Sequence, residues 1–208
     1  MHPSPTPPAA KTALRDQLLT ARNRRSLAEV SAAGAAITEQ LLALEEVRRA
    51  ASVAAYVSVG REPGTGLLLD GLRAAGKRVL LPLTRRTDEG VLDLDWAVYE
   101  GPDSLAPARY GLLEPSTPPL GLDAIATPDV VLVPGMAVSA AGYRIGKGAG
   151  CYDRALRRVP VGTFTCVVLY DDEVGRDVPV EPHDLPVLTA VSPAGLTRFS
   201  PAPPPARA

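Results

Sequence analysis

The stretch of this chain with the most chemical content runs from Pro134 to Arg158, PGMAVSAAGYRIGKGAGCYDRALRR. Alternating glycines let backbone N–H groups turn toward an anion, and a helix that opens after such a loop adds the positive end of its dipole. Arg144 and Lys147 add charge that suits phosphate oxygens. The pattern favours a nucleotide triphosphate, although a glycine-rich turn with solvated charges has the same spacing. The glycines of the loop are Gly142, Gly146, Gly148 and Gly150.

The loop matches neither of two common phosphate motifs. Lys147-Gly148 is not followed by the Ser or Thr of a Walker A loop, and Cys151 stands where G-x-G-x-x-G needs its last glycine. We interpret Cys151 and Cys166 as structural, although a helix start at Cys151 would lower the pKa of its thiol.

Two carboxylates accompany this loop. Asp153 falls in the first turn of the predicted helix, where the helix dipole stabilises it by roughly 0.3–1 kcal/mol, so it is either a cap or a Mg²⁺ ligand beside bound phosphates. Asp184 follows His183 in a proline-flanked segment. It is either a second metal ligand or the acceptor of a loop hydrogen bond.

Charged residues elsewhere in the chain also have two interpretations, as ligand-binding groups or as ordinary solvated charges. Lys11 and Arg15 are four residues apart on a predicted helix, and Arg22 falls on nearly the same face. Like charges at this spacing repel one another, which a nearby anion would relieve; the alternative is a solvated basic face. Glu62 follows a predicted strand and is either an acceptor for the N–H groups of a heterocycle or an exposed loop acid.

The elements that must position these residues can be predicted from apolar spacing. Helices are predicted over residues 11–24, from the capping box at Ser26 onward, and over 65–75 and 151–159. Buried strands are predicted over 52–59, 78–83, 130–134, 164–170 and 187–191, and the strict alternation of 91–98 predicts a half-exposed strand. Residues 101–121 are rich in Pro and Gly and are predicted to be mostly loop.

Buried strands alternating with helices indicate an α/β domain around an open, mainly parallel sheet. Ligands of such sheets bind beyond the carboxyl ends of the strands. Three loops, 60–65, 134–150 and 171–186, are therefore expected on the functional rim.

Composition narrows the class of protein. The 208 residues carry 22 Lys and Arg against 23 Asp and Glu, so the chain has no basic surface for nucleic acid. No apolar run reaches the ~18 residues of a membrane span, no secretory signal is recognisable, and two cysteines cannot form a disulfide framework. A reducing cytoplasm is the expected compartment. We expect a folded domain over residues 10–198 between flexible proline-rich ends, 1–9 and 199–208; an SH3-type ligand is an alternative role for these ends.

These features together resemble one family over residues 11–192. They are Lys11-x₃-Arg15, Glu62, Pro134-Gly135, the block G-x-R-x-G-x-G-x-G-x-Y-D-R from Gly142 to Arg154, and Pro182-His183-Asp184. The chain resembles the 5-formyltetrahydrofolate cyclo-ligase family. The resemblance implies an open, Rossmann-like sheet and an ATP- and Mg²⁺-dependent ring closure of 5-formyltetrahydrofolate to 5,10-methenyltetrahydrofolate, with release of ADP and phosphate.

The resemblance also implies roles for particular residues. Arg144 and Tyr152 would be catalytic, and Asp153 and Asp184 would bind Mg²⁺. Val57, Glu62, Tyr110 and Tyr152 would bind the folate. ATP would be bound by Lys11, Arg15, Arg144, Ile145, Gly146, Lys147, Gly148, Ala149, Gly150, Cys151 and Tyr152. The partners would be small molecules alone, and we expect a monomer.

Three positions depart from the family pattern. Cys151 replaces a usual aromatic residue, Ala149 a usual Lys or Gly, and Ser139 a common Asp. They leave open a family member that binds folate or nucleotide with lost or altered catalysis. The residues alone also leave open an unrelated α/β phosphotransferase.

Overall fold

The computed structural model describes residues 7–200, so the expectations for residues 1–6 and 201–208 lie outside the described part of the chain. The helices are α1 (Pro7–Asn23), α2 (Leu27–Ala43), α3 (Glu45–Arg49), α4 (Gly66–Ala74) and α5 (Cys151–Leu156). The strands of the first half are β1 (Ser52–Ala54), β2 (Arg78–Arg86), β3 (Leu92–Val98), β4 (Leu105–Pro107) and β5 (Leu113–Pro115). Those of the second half are β6 (Val130–Pro134), β7 (Ala137–Val138), β8 (Arg144–Ile145), β9 (Phe164–Val168), β10 (Thr189–Ser192) and β11 (Gly195–Arg198).

The main sheet has seven strands in the order β11-β10-β9-β6-β1-β2-β3. The five inner strands, from β10 to β2, run parallel, and β3 and β11 pair antiparallel at the two edges. Two short hairpins, β4–β5 and β7–β8, stand outside this sheet. The predicted α/β class and mainly parallel sheet are confirmed.

Each face of the sheet carries its own core because successive side chains of a strand point to opposite faces. In β1, Val53 packs with α2, α3 and α4, whereas Ala54 packs with α5 on the other face. A small third cluster places Leu14 and Leu18 of α1 against Met136, Ile145 and Val178. Helices therefore cover both faces, and α1 lies over the β7–β8 hairpin.

Local signals explain where the second helix begins. Ser26 Oγ accepts a hydrogen bond from the Glu29 N–H, and Glu29 Oε2 accepts one from the Ser26 N–H, so the predicted capping box is confirmed. A Cβ on Gly34 would lie 2.6 Å from the Gly64 carbonyl oxygen. Glycine at position 34 therefore lets α2 approach the loop that carries Glu62.

The strand β3 corrects one prediction. Its alternation predicted a half-exposed strand, but Asp93 and Asp95 are 2% and 4% exposed. Asp93 lies 2.7 Å from Arg158 Nη2, and Asp95 lies 2.9 Å from Arg85 Nε. Ion pairs take the place of water at the face that was expected to be solvated, so the prediction was wrong.

Several boundaries also differ from the predictions. α1 begins at Pro7, four residues before the predicted start, and the first turn of a helix accommodates proline because its N–H groups need no partner there. Pro7 to Ala9, predicted as part of a flexible end, are therefore helical. β1 ends at Ala54 and α5 at Leu156, both earlier than predicted. Within residues 7–200, no helix has the length and apolar character needed to cross a membrane.

Candidate active site

A cavity of about 560 Å³ opens at the carboxyl edge of the parallel strands. Its walls come from the three loops predicted to form the functional rim, from β3 and from the N-terminal half of α1. The predicted site residues that line it are Lys11, Arg15, Glu62, Tyr110, every residue from Arg144 to Asp153, and Asp184. Residues from five separate parts of the chain are thus brought together.

Val57 has a different position from the one predicted. It packs against the core on the α2 face, while Val59 lines the cavity. The chain leaves the sheet at Ala54, so Val57 is still beside the core and Val59 has reached the rim. Val59 therefore lines the cavity and Val57 does not, and a folate contact at Val57 stays a prediction.

The part of the glycine loop that connects β8 to α5 contains Gly146, Gly148 and Gly150, and the last two have positive φ angles of 106° and 67°. Arg154 stabilises the loop by donating hydrogen bonds to the carbonyl oxygens of Ala149, at 2.9 Å, and Leu92. A Cβ on Gly150 would lie 2.9 Å from Arg154 Nη1, so a side chain there would collide with this contact. α5 has six residues. Its dipole is correspondingly small, and side-chain cations supply most of the positive charge at this end of the cavity.

Lys11 and Arg15 reach from α1 into this cavity. Lys11 Nζ lies 2.6 Å from Asp184 Oδ2 and 2.7 Å from Glu181 Oε2, and Lys11 is 6% exposed. Arg15 Nε donates to the Gly146 carbonyl oxygen at 2.9 Å. Burial opposes the Lys11 charge, but the two carboxylates outweigh it and raise the pKa of Lys11 above 10.5. Lys11 is therefore a charged site residue and not part of a solvated face.

Arg144 is 4% exposed, and its Nη2 lies 3.0 Å from Asp153 Oδ1. Burial lowers the pKa of Arg144 from its usual value, and the Asp153 carboxylate opposes this. Arg144 Nε is buried and has no hydrogen-bond partner among the described residues. A buried donor of this kind is costly unless something accepts from it, and an anion in the cavity would meet that need.

Lys147 and Glu62 form a bridge across the cavity. Lys147 Nζ lies 2.9 Å from Glu62 Oε1, while Glu62 Oε2 accepts the Val59 N–H at 2.8 Å. Tyr152 lies close enough to Glu62 and Arg144 for both charges to influence the pKa of its phenol. Burial raises the pKa of the Tyr152 phenol far above its ordinary value of 10.0, so the group is a neutral hydrogen-bond donor near neutral pH.

The predicted metal ligands lie in the same cavity but in different ion pairs. Asp153 contacts Arg144, and Asp184 forms a group with Glu181 and His183 whose ligand atoms lie within 4.8 Å of one another. Lys11 Nζ already touches both carboxylates of that group. Oxygen donors suit Mg²⁺, which takes one or two carboxylates and completes its shell with phosphate oxygens and water. The carboxylates therefore fit a magnesium nucleotide better than a free magnesium ion.

Tyr110 lies at the mouth of the cavity on the connection between β4 and β5. Its φ of 62° is a conformation that L side chains rarely adopt, and the side chain is largely exposed. The sequence signalled an aromatic residue here but gave no sign of the strained backbone.

Sequence reasoning missed several lining residues. Leu92 and Leu94 were assigned to a strand without a link to the site, because only the fold brings β3 to the cavity. Glu181 and His183 had a usable signal in the run of titratable residues before Asp184. Further lining residues from outside the motifs are Val59, Thr84, Leu112 and Met136.

The Cys151 thiol differs from one expectation. Burial raises its pKa above 9.0, although Arg154 opposes the shift, so the predicted lowering by a helix start was wrong. Cys151 Sγ lies 3.5 Å from the Leu92 carbonyl oxygen, and burial raises the pKa of Cys166 as well. The burial of both thiols agrees with the structural interpretation of the two cysteines.

The fold and the site together define a class: an α/β protein with cations and a glycine-rich loop around a cavity at the carboxyl edge of a parallel sheet. Comparison with known proteins resolves the family. The model of the 5-formyltetrahydrofolate cyclo-ligase family matches residues 7–193, and the chain belongs to that family.

Individual relatives agree with this assignment. The chain is 41% identical over 189 residues to a 5-formyltetrahydrofolate cyclo-ligase of Mycolicibacterium smegmatis, with 89% of this chain and 95% of the relative covered. It is 29% identical over 161 residues to the Escherichia coli K12 enzyme of the same name, with 74% and 85% covered. The solved 5,10-methenyltetrahydrofolate synthetase of Aquifex aeolicus superposes with a TM-score of 0.76 at 26% identity, covering 93% of this chain and 94% of that one.

Proposed function

We propose that this protein is a 5-formyltetrahydrofolate cyclo-ligase, which uses ATP to convert 5-formyltetrahydrofolate to 5,10-methenyltetrahydrofolate. Membership of the family supports the reaction. One observation supports this reaction for the present chain: the same cavity holds Lys11, Arg15, Arg144 and Lys147 beside the glycine loop, with Glu62 opposite.

The proposed chemistry has two steps. The formyl oxygen takes the γ-phosphoryl group of ATP and ADP leaves. N10 of the folate then attacks the activated formyl carbon, the C–O bond breaks to release phosphate, and N10 gives up its proton. Atoms balance because the formyl oxygen departs on the phosphate.

Positive charge is the main requirement of the first step, since the transition state of phosphoryl transfer spreads charge over the phosphate oxygens. Arg144 is proposed to hold that charge, with its buried Nε as a donor that needs an acceptor. Lys11, Arg15 and Lys147 are proposed to bind the remaining phosphates, and the loop from Ile145 to Cys151 to surround them. The neutral hydroxyl of Tyr152 lies between the two substrates in this proposal.

The folate is proposed to bind on the Glu62 side. The Val59 N–H fixes the Glu62 carboxylate, which leaves Glu62 Oε1 to accept hydrogen bonds from a pterin once Lys147 moves to phosphate. Tyr110 and Val59 would contact the ring. An incoming nucleotide and an incoming folate would therefore each take one partner of the same ion pair.

We propose that Asp153 and Asp184 hold Mg²⁺ together with ATP. Mg²⁺ would neutralise charge on the phosphates when bound. In that state Arg144 and Lys11, which contact these carboxylates in the structure, would have phosphate oxygens as alternative partners. The chain's own task is the exchange of these ion pairs for contacts to the nucleotide.

The decisive experiment mixes the purified protein with ATP, Mg²⁺ and 5-formyltetrahydrofolate and follows the near-UV absorbance of the methenyl product. A rise that needs all three components supports the proposal. Binding of both substrates without a rise would favour a family member without turnover. ADP release with sugars or nucleosides but not with the folate would favour a different phosphotransferase. A monomeric state and a cytoplasmic location remain predictions; light scattering and fractionation test them.

A further inference from the structure

A buried ion pair lies next to the candidate active site without lining it. Arg22 Nε lies 2.7 Å from Glu173 Oε1, and Arg22 Nη2 donates at 2.7 Å to both Glu173 Oε2 and the Gly135 carbonyl oxygen. Arg22 is 3% exposed and Glu173 is 1% exposed. Glu173 also accepts the Tyr170 N–H at 3.0 Å. The pair thus joins α1 to the carboxyl ends of β6 and β9, and of these two strands β6 reaches the cavity through Pro134.

The rest of the attachment of α1 is weak or lies in the cavity itself. Its apolar contacts are those of Leu14 and Leu18 with the small cluster of Met136, Ala137, Ile145 and Val178. Its other long-range polar contacts are those of Lys11 and Arg15, whose partners line the cavity. The hydrophobic effect that drives apolar contacts has no direction, whereas a bidentate guanidinium–carboxylate pair fixes both distance and orientation.

The positions of these residues along α1 make the pair effective. Lys11, Arg15, Leu18 and Arg22 follow one another at four, three and four residues, which places them on one stripe of the helix. Arg15 stands seven residues before Arg22, about 10 Å along the axis. A helix is stiff over this length, so a displacement at Arg22 moves Arg15 and Lys11 with it.

Stability does not explain why this pair is present. Burial raises the pKa of the Glu173 carboxyl above its usual 4.5 against the effect of Arg22, whereas Glu173 raises the pKa of Arg22 above its usual value against the effect of burial. The attraction within the pair is thus offset by the cost of burying its charges, and apolar residues of similar size often stabilise such a site as well or better. What apolar residues would not supply is the fixed geometry.

We infer that Arg22 and Glu173 are positioning residues of the nucleotide site: they fix α1 against the sheet so that Lys11 and Arg15 meet the phosphates. This inference rests on the proposed function, since it takes ATP as the ligand of that end of the cavity. The proposed folate end, at Glu62, is carried by the β1–α4 loop, which makes no hydrogen bond to α1 among the described residues; Glu62 and Arg22 influence each other through charge, and the double variant below removes one charge of each sign.

The test is the double variant Arg22→Met/Glu173→Met, which removes both charges and keeps an apolar filling. We expect its melting temperature to stay near that of the wild type and its Kd for Mg-ATP, measured by calorimetry, to rise about tenfold or more, because small displacements of binding groups have large effects. The Kd for 5-formyltetrahydrofolate should stay unchanged. Amide hydrogen exchange over residues 11–18 should speed up in the ATP-free protein.

Arg25→Met is the matched control. Arg25 contacts Asp172 in the same turn as Glu173, three residues along from Arg22, but Asp172 is more than half exposed. This variant should bind ATP as the wild type does. Should the double variant fold poorly, Arg22→Lys keeps the charge and loses the bidentate geometry, and it should weaken ATP binding without affecting the folate.

Three outcomes separate the possibilities. Weaker ATP binding with normal folate binding supports the inference. Wild-type ATP affinity in a folded double variant or in Arg22→Lys overturns it while leaving the proposed function intact. A wild-type protein that binds no ATP overturns both the proposed function and this inference.

Discussion

Arg144 is the residue on which the proposed phosphoryl transfer depends most, because its buried Nε donor, beside the glycine loop, has no partner within residues 7–200. Arg144→Ala should lower kcat about 100-fold, the scale seen when one preorganised donor to a transition state is removed. The Kd for the folate should change little, since Glu62 is proposed to bind that substrate independently of Arg144. Steady-state kinetics with a calorimetric folate titration check this, and Arg144→Lys should recover part of kcat. A loss confined to folate affinity would place Arg144 on the wrong substrate.

Glu62 is expected to act in binding and not in phosphoryl transfer. Glu62→Gln keeps the size of the side chain and removes the charge that faces Lys147. The KM for 5-formyltetrahydrofolate should rise about tenfold, since a hydrogen bond to a charged group is worth about 1.5–3 kcal/mol. The kcat at saturating folate should stay within a few-fold of the wild type. An equal fall in kcat and kcat/KM would instead assign Glu62 to the transition state.

A substitution at Asp153 tests the proposal that this residue is a ligand of Mg²⁺. Asp153→Asn should raise the Mg²⁺ concentration needed for half-maximal activity, because an amide is a weaker ligand for this ion than a carboxylate. Asp16→Asn, which removes an exposed carboxylate from α1, is the control for lost negative charge. An unchanged Mg²⁺ dependence in Asp153→Asn would leave Asp153 as the partner of Arg144 alone.

At the scale of elements, the sequence predicted what depends on neighbours along the chain. The capping box at Ser26 and the glycine loop after β6 are local, and the structure has both. The contact between Lys11 and Glu181 spans 170 residues, so no local pattern revealed it. Arg22 was correctly grouped with Lys11 and Arg15 on one face, yet its partner Glu173 lies 151 residues away.

The strand β3 shows the same limit. Alternating acids usually face water, so Asp93 was assigned to a solvated face. Arg158, which comes 65 residues later, pairs with it after α5 has packed on β3. The alternation of apolar and polar residues predicts the strand correctly. Which of its two faces is buried depends on the elements that pack against it.

Asp93 also gives an element-scale prediction with a defined pH range. Burial would raise the pKa of Asp93, but Arg158 and the Leu94 N–H outweigh it and hold the pKa below the usual 3.8. The folded state therefore binds a proton less readily than the unfolded state. The stabilisation is complete above pH 3.8 and is lost as the pH falls through the lower, folded pKa.

Asp93→Asn should thus be less stable than the wild type by roughly 2 kcal/mol at pH 7, less than for a fully buried pair because Arg158 is partly exposed. The difference should narrow as the pH falls below 3.8. Urea unfolding at a series of pH values measures both. A difference that does not depend on pH would mean that packing, and not charge, holds α5 to β3.

At the scale of the whole molecule, the site is assembled where two kinds of element meet. The strands β1 and β6 end at fixed positions in the sheet, and their loops bring Glu62 and the glycine loop to one edge. α1 is not part of the sheet, and it contributes Lys11 and Arg15 to the same cavity. Under the proposed function, this division leaves the folate end fixed by the sheet and the nucleotide end dependent on how one helix is attached.

The N-terminal boundary of α1 therefore matters for the nucleotide end. The helix begins at Pro7, the family match also begins at residue 7, and Thr12 Oγ1 donates to the Pro8 carbonyl oxygen at 3.0 Å. Removing residues 1–6 keeps this first turn, so kcat and both KM values should stay within about twofold of the wild type. Removing residues 1–9 makes Lys11 the second residue of the chain, where helix ends fray.

The longer deletion should raise the KM for ATP several-fold and leave the KM for the folate unchanged. Removal of residues 201–208, a proline-rich tail beyond β11, should affect neither. Parallel kinetics on the three truncated proteins make the comparison, with circular dichroism to confirm that each is folded. Equal activity after both N-terminal deletions would show that Lys11 keeps its place without the first turn of α1, and the ion pairs to Glu181 and Asp184 would then be sufficient to hold it.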